Sequence, residues 1–116
     1  IRSVYDGRYR YIVNLTPEAT FQNVETKSPL FKEWKSLAET DSHAKAMTTK
    51  YQHRPAIELY DVKNDRYCMK NLAEDAKQAS TISRLDKELK RWMKDCGDEG
   101  QPTEMRAFEH MPGKRK

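Results

Sequence analysis

Two short β-favouring runs, Arg2-Ser3-Val4-Tyr5 and Tyr9-Arg10-Tyr11-Ile12-Val13-Asn14, flank Asp6-Gly7 near the start of the chain. That pattern predicts a β-hairpin with a type I′ turn, which requires positive φ at both central residues, Asp6 and Gly7. In the second run Tyr9, Tyr11 and Val13 fall on one face, and Arg10, Ile12 and Asn14 on the other. One face is apolar and the other mixed. A lone hairpin is not stable in water, so these strands are expected to join others.

Residues 16–27 show no period and read as loop. Ser28-Pro29 then signals a helix start, with Ser as N-cap and Pro at the first helical position. Leu30, Phe31, Trp34, Leu37 and Ala38 follow as one apolar stripe. Asp41 is expected to cap a second short helix through Ala44, Ala46 and Met47, ending before Arg54-Pro55. Ala56 to Asp61 alternates like a half-buried strand, and Lys63-Asn64-Asp65-Arg66 reads as a turn. Asp75 with Gln78 three residues on forms a capping-box pattern for a long last helix. Ile82, Leu85, Leu89, Trp92, Met93 and Cys96 share one arc of that helix, which stops at Gly97. The expected fold is α+β, a small antiparallel sheet with helices packed on one face. Residues 1–96 form the folded part, and 97–116 an irregular or disordered basic-ended tail.

The chain has 116 residues, room for a single domain. Hydrophobic residues are 36% and charged residues 34%, so the core must be small. Apolar runs such as Tyr11-Ile12-Val13 are far too short for a transmembrane helix. The chain opens on Ile1, with neither an initiator Met nor a targeting segment, and is expected to be processed or part of something longer.

A net charge of +4 makes a polyanionic partner plausible without requiring one. The charge concentrates in Lys114-Arg115-Lys116 and on the helix face opposite the apolar arc, at Arg84, Lys87, Lys90, Arg91 and Lys94. The like-charged pairs Lys87/Arg91 and Lys90/Lys94 each cost roughly 0.2–0.5 kcal/mol. A polyanion site would explain them, although the plainer reading is the solvated side of an amphipathic helix.

Other candidate chemistry is sparse. Asp61, Asn64 and Asp65 offer oxygen ligands for calcium, but not at an EF-hand spacing, and turn residues at a strand end explain them as well. Cys68 and Cys96 form no C-x-x-C pair, and read as two free or buried thiols or as one disulfide. His43, His53 and His110 are scattered, with no nucleophile elbow or phosphate loop beside them. Asn14-Leu15-Thr16 is a glycosylation sequon followed by Pro17. Arg8, Tyr9, Arg10 and Tyr11 interleave bases with aromatics, but half of them must face the core, so no nucleic-acid platform is expected.

Three stretches taken in order resemble a known family. Ile1-Arg2-Ser3-Val4 with Arg8-Tyr9-Arg10-Tyr11-Ile12-Val13-Asn14-Leu15 is similar to the strand pair that opens the C-terminal subdomain of sulfatases. Ser28-Pro29-Leu30-Phe31 with Trp34 resembles the following insert in the heparan N-sulfatase (N-sulfoglucosamine sulfohydrolase) group. Arg54 to Asp61, Asn71-Leu72-Ala73-Glu74-Asp75, and Leu85, Leu89 and Trp92-Met93 match the closing pattern, an E-L-Y-D strand, N-L-A and a long last helix. Two family prolines are replaced here, by Arg66 and Ala76.

The resemblance implies a parent enzyme that hydrolyses sulfate esters or sulfamates on glycans, exported from the cytoplasm. Calcium and formylglycine would belong to a catalytic domain upstream of Ile1, since this chain has no C/S-x-P-S-R motif and no metal ligands of its own. The partners implied are that catalytic domain and a sulfated glycan, with no nucleic acid and no membrane span. Of the residues present, Arg2 is the candidate to approach the anionic glycan; Arg10 matches a family position as well, and could equally be a structural ion-pair partner. The alternative is a stand-alone module that binds acidic polysaccharide through the basic helix face.

Overall fold

The computed structural model describes residues 1–110, so the basic run Lys114-Arg115-Lys116 lies outside the described residues. The chain divides into two compact units, Ile1–Leu15 with the chain from Ile57 onward, and Thr16–Ala56. The fold is α+β.

The first unit is built on a three-stranded antiparallel sheet of order β1-β2-β3, with β1 Arg2–Tyr5, β2 Tyr9–Val13 and β3 Ile57–Asp61. Val4 pairs with Tyr11 and Tyr11 with Leu59, so those three side chains share a face. The long helix α3, Ala79–Asp95, packs on it. Tyr11, Leu59, Leu85 and Leu89 form the buried centre, ringed by Val4, Tyr9, Val13, Leu72, Ile82 and Met93. The apolar face expected of β2 is therefore the core face. On the opposite face, buried Glu58 accepts from the Asn14 side-chain amide at 2.8 Å and from the Tyr60 hydroxyl at 2.6 Å. A buried carboxylate between two donors is satisfied rather than orphaned.

The hairpin forms one residue later than the Asp6-Gly7 pattern predicts. Tyr5 pairs with Arg10, and the Asp6 amide donates to the Tyr9 carbonyl, so Gly7 and Arg8 are the two central residues. Within the turn, positive φ falls on Gly7 alone (98°), the pattern of a type II′ turn. Asp6 keeps an ordinary φ because its carboxylate accepts the amides of Arg8 and Tyr9, at 2.9 and 2.7 Å.

The two edges of the sheet differ. Along β3, the Asn71 side chain accepts from the Leu59 amide at 2.9 Å and donates to the Ile57 carbonyl at 3.3 Å. The Leu72 amide then donates to the Leu59 carbonyl at 2.8 Å. The Asn71-Leu72 dipeptide thus acts as a short substitute strand that closes that edge. Among the described residues no strand lies beyond the other edge, β1.

The start of α3 also departs from the expected capping box. Asp75 accepts from the Lys77 amide and caps a 3-10 turn, Ala76–Gln78, and α3 begins after it with no side-chain cap. The Gln78 amide donates to the Asp75 carbonyl at 2.8 Å, the i+3 bond of that turn. The far end follows expectation: Gly97 (φ 73°) donates to Lys94 and the Asp98 amide to Met93, a Schellman closure.

Residues 98–110 are more regular than expected. Gln101–Met105 form a short helix, α4, with Pro102 in its first turn, and Ala107–His110 form a 3-10 turn. No period announces α4, and Arg2 ties it to the sheet through Asp98 and Glu104.

The second unit contains two capped helices. In α1, Pro29–Leu37, the Ser28 hydroxyl accepts from the Phe31 amide at 3.1 Å. In α2, Ser42–Gln52, the Asp41 carboxylate accepts from the Ala44 amide at 2.7 Å. Both caps stand where the sequence predicts them. Tyr51 packs on Phe21 and Phe31, at ring separations of 5.8 and 5.4 Å, and the Arg54 guanidinium lies 3.8 Å over Phe21. Of the predicted α1 stripe only Phe31 is buried, while Leu30, Trp34 and Leu37 stay exposed.

Candidate functional site

Arg2 stands at the start of β1, where β-pairing sets it on the same sheet face as Val4. Its guanidinium donates through Nε and Nη2 to both oxygens of Asp98, and through Nη1 to Glu104 at 3.0 Å. Two carboxylates thus neutralise the cation expected to approach an anionic glycan. The Arg2 contact holds the Asp98 carboxyl below the ordinary carboxylate range, and Asp98 raises the Arg2 guanidinium in return. Arg2 ties the segment after α3 back onto the sheet.

Arg10 lies on the opposite sheet face, exposed, with its guanidinium 5.7 Å from the Tyr5 ring. No ion pair holds it among the described residues.

The basic face of α3 is largely neutralised. Lys90 reaches Asp86 at 2.6 Å, and Arg91 binds Glu88 and Asp95. Arg84 crosses to Asp6 in the hairpin turn at 2.5 Å. The spacings i,i+3 and i,i+4 interleave acids with the bases, so the like-charge cost inferred from Lys87/Arg91 and Lys90/Lys94 is offset on the same face. Lys87 and Lys94 are the members of the face without a carboxylate partner among the described residues. Arg84 and the Tyr9 amide lower the Asp6 carboxyl to about 2.

The Asp61, Asn64 and Asp65 oxygens are occupied. Asp61 accepts from Arg8 at 2.7 and 3.1 Å and from the Asn64 side chain at 2.9 Å, and Arg8 lowers its carboxyl to about 2. Asp65 accepts the amides of Met69 and Lys70, at 2.9 and 2.7 Å. These groups fold the loop after β3, the reading that turn chemistry already offered. They do not fit a calcium ion: one carboxylate is spent on an arginine and the other on backbone donors. Among the described residues no group of three His, Cys, Asp or Glu is arranged to hold a metal. Nor does either cysteine fit a formylglycine precursor: Cys68 and Cys96 are not joined in a disulfide, and neither is followed by x-Pro-Ser-Arg. Asn14 of the sequon is buried and bonded to Glu58.

Two grooves had no announcement in the sequence. One, about 260 Å3, runs along β1 between Ser3, Val4 and Tyr5 and the α3 residues Glu88, Leu89 and Trp92. Tyr5 and Trp92 are each about half exposed there, although the helical wheel assigned Trp92 to the core arc. The other, about 330 Å3, lies between α1 and α2, lined by Trp34, Leu37, Asp41, His43, Ala44 and Met47. Amphipathic spacing tells which side is apolar, not whether anything covers it.

The chain is similar to part of a sulfatase. The relative is an ulvan-active sulfatase of Formosa agariphila, 32% identical over 108 residues, which takes in 90% of this chain. The chain spans 18% of the length of that protein. No family model matches the chain. The sulfatase-like motifs have physical roles here: Arg8 and Asp61 join the hairpin turn to the end of β3, and Asn71-Leu72 close its edge. No helix among the described residues is long and apolar enough to cross a membrane.

Proposed function

We propose that this chain is the C-terminal part of a sulfatase that hydrolyses sulfate esters or sulfamates on glycans. By itself it is non-catalytic, bracing the catalytic domain and shaping the substrate entrance. The observation that carries this reading is the 32% identity over nearly the whole chain to under a fifth of a sulfatase. The ordered motifs from Ile1 to Met93 support it, and within sulfatases they are most like the heparan N-sulfatase group.

The bare β1 edge, flanked by the exposed rings of Tyr5 and Trp92, supports the bracing role. The opposite edge is closed by Asn71, so the exposure on the β1 side fits a surface that another part of the enzyme covers. Calcium and formylglycine belong, in this reading, to the catalytic domain. The alternative, polyanion binding through the α3 face, is disfavoured by the carboxylates paired with Arg84, Lys90 and Arg91.

The test starts with the coding DNA upstream of Ile1, where the reading expects an open frame that includes a C/S-x-P-S-R motif. The full-length protein should then release sulfate from an aryl sulfate or a sulfated glycan, while the present chain alone releases none. A start codon immediately before Ile1, or activity in the isolated chain, would overturn the proposal.

A further inference from the structure

β2 and β3 are adjacent antiparallel strands, with Val13 paired to Ile57, and a two-residue turn suffices to join strands in that register. The chain instead inserts the whole unit Thr16–Ala56 between them. The insert contributes no strand to the sheet, and it has its own aromatic centre at Phe21, Phe31 and Tyr51. An insertion the sheet does not need calls for another role.

The groove between α1 and α2 supplies one. Its volume, about 330 Å3, falls within the range of small-ligand sites, roughly 300–1,000 Å3. Trp34 presents an indole 47% exposed, flanked by the aliphatic side chains of Leu37 and Met47. Asp41 and His43 are its polar members. Asp41 caps α2 through Oδ1, which leaves its second oxygen able to accept. No Lys or Arg lines the groove, so it is not built for a sulfate or phosphate group. An aromatic plane with one carboxylate and one imidazole suits the apolar face of a neutral sugar ring, whose hydroxyls need an acceptor and a group that both donates and accepts.

We propose that this insert is a glycan-recognition element, in which Trp34 stacks on a sugar ring of the polysaccharide and Asp41 and His43 hydrogen-bond its hydroxyls. The site takes the carbohydrate backbone rather than the sulfate, and the inference rests on the sulfatase reading above for its ligand class. The site acts on polymer affinity and not on bond cleavage.

The experiment uses the full-length protein with Trp34→Ala and Trp34→Phe, assayed on a sulfated polysaccharide and on a small aryl sulfate. Trp34→Ala should raise KM for the polysaccharide about tenfold. Its kcat and its aryl sulfate hydrolysis should stay unchanged, and Trp34→Phe should recover much of the affinity. An unchanged polysaccharide KM, or an equal loss on both substrates, overturns the proposal; the latter is what a groove merely packed on the rest of the enzyme would give. Should the wild-type protein cleave neither substrate, the sulfatase reading fails separately. Tryptophan fluorescence of the wild-type protein and of Trp34→Phe, titrated with desulfated oligosaccharide, then decides the site: saturable quenching that Trp34→Phe abolishes upholds it, and no quenching, or quenching unchanged in that variant, overturns it.

Discussion

The hydroxyl of Tyr11, at the buried centre of the sheet, donates to the Asp86 carboxylate on α3 at 3.1 Å. Burial first, and the neighbouring Asp86 charge second, push that hydroxyl up to about 12, so it remains a donor throughout the working pH range. Asp86 in turn accepts from Lys90, and one carboxylate joins the core strand to the solvent face of the helix. Tyr11→Phe keeps the ring and removes the bond. It should cost about 1 kcal/mol in urea unfolding with an unchanged m-value. A loss indistinguishable from zero would show that the bond only exchanges with water.

Asn71 closes the β3 edge with a side chain. Asn71→Ala leaves the amide of fully buried Leu59 without its acceptor, at a cost of about 1–3 kcal/mol. It also opens a strand edge, so a rise in light scattering at high concentration should accompany the lower stability. Asn71→Asp preserves the acceptor and should lose less.

Arg2 links the first strand to the segment after α3. Arg2→Met removes the partners of Asp98 and Glu104, and hydrogen exchange at the Gly100 and Glu104 amides should speed by about tenfold. Protection in β2 and β3 should be unchanged. Uniform loss of protection would instead make the contact part of the global core.

Acid should weaken the hairpin turn and its junction with β3. Asp6 and Asp61 sit near 2 in the folded chain against an ordinary 3.8. A carboxyl with a depressed folded value stabilises fully above its unfolded value, and that stabilisation is lost as pH falls through the folded one. Stability should therefore drop as pH falls from about 4 toward 2. In the double variant Asp6→Asn, Asp61→Asn, the slope over that window should be shallower and the plateau above it lower. An identical slope in the variant would assign the acid transition to other groups.

Local chemistry made much of the architecture legible in the sequence. Ser28-Pro29 and Asp41 cap the helices they announce, Gly97 ends α3, and the alternation in Tyr9–Val13 gives the core face. These are interactions between residues a few positions apart, and neighbours in sequence are enough to set them. Gly7 was legible as a turn residue, but the register across the hairpin, decided by pairing with β3 as well as β1, moved the turn one residue onward.

The ion pairs were not legible in that way. Arg2 meets Asp98, Arg84 meets Asp6 and Arg8 meets Asp61 only because the sheet and α3 bring distant segments together. Caps, turns and periodicity act over a few residues, so the order of residues along the chain sets which of them can be helical, extended or apolar-faced. Which charges are neutralised and which aromatic faces stay open is set by the folded arrangement. Charge pairing and burial depend on what lies opposite in space, and that partner is supplied by a different part of the chain.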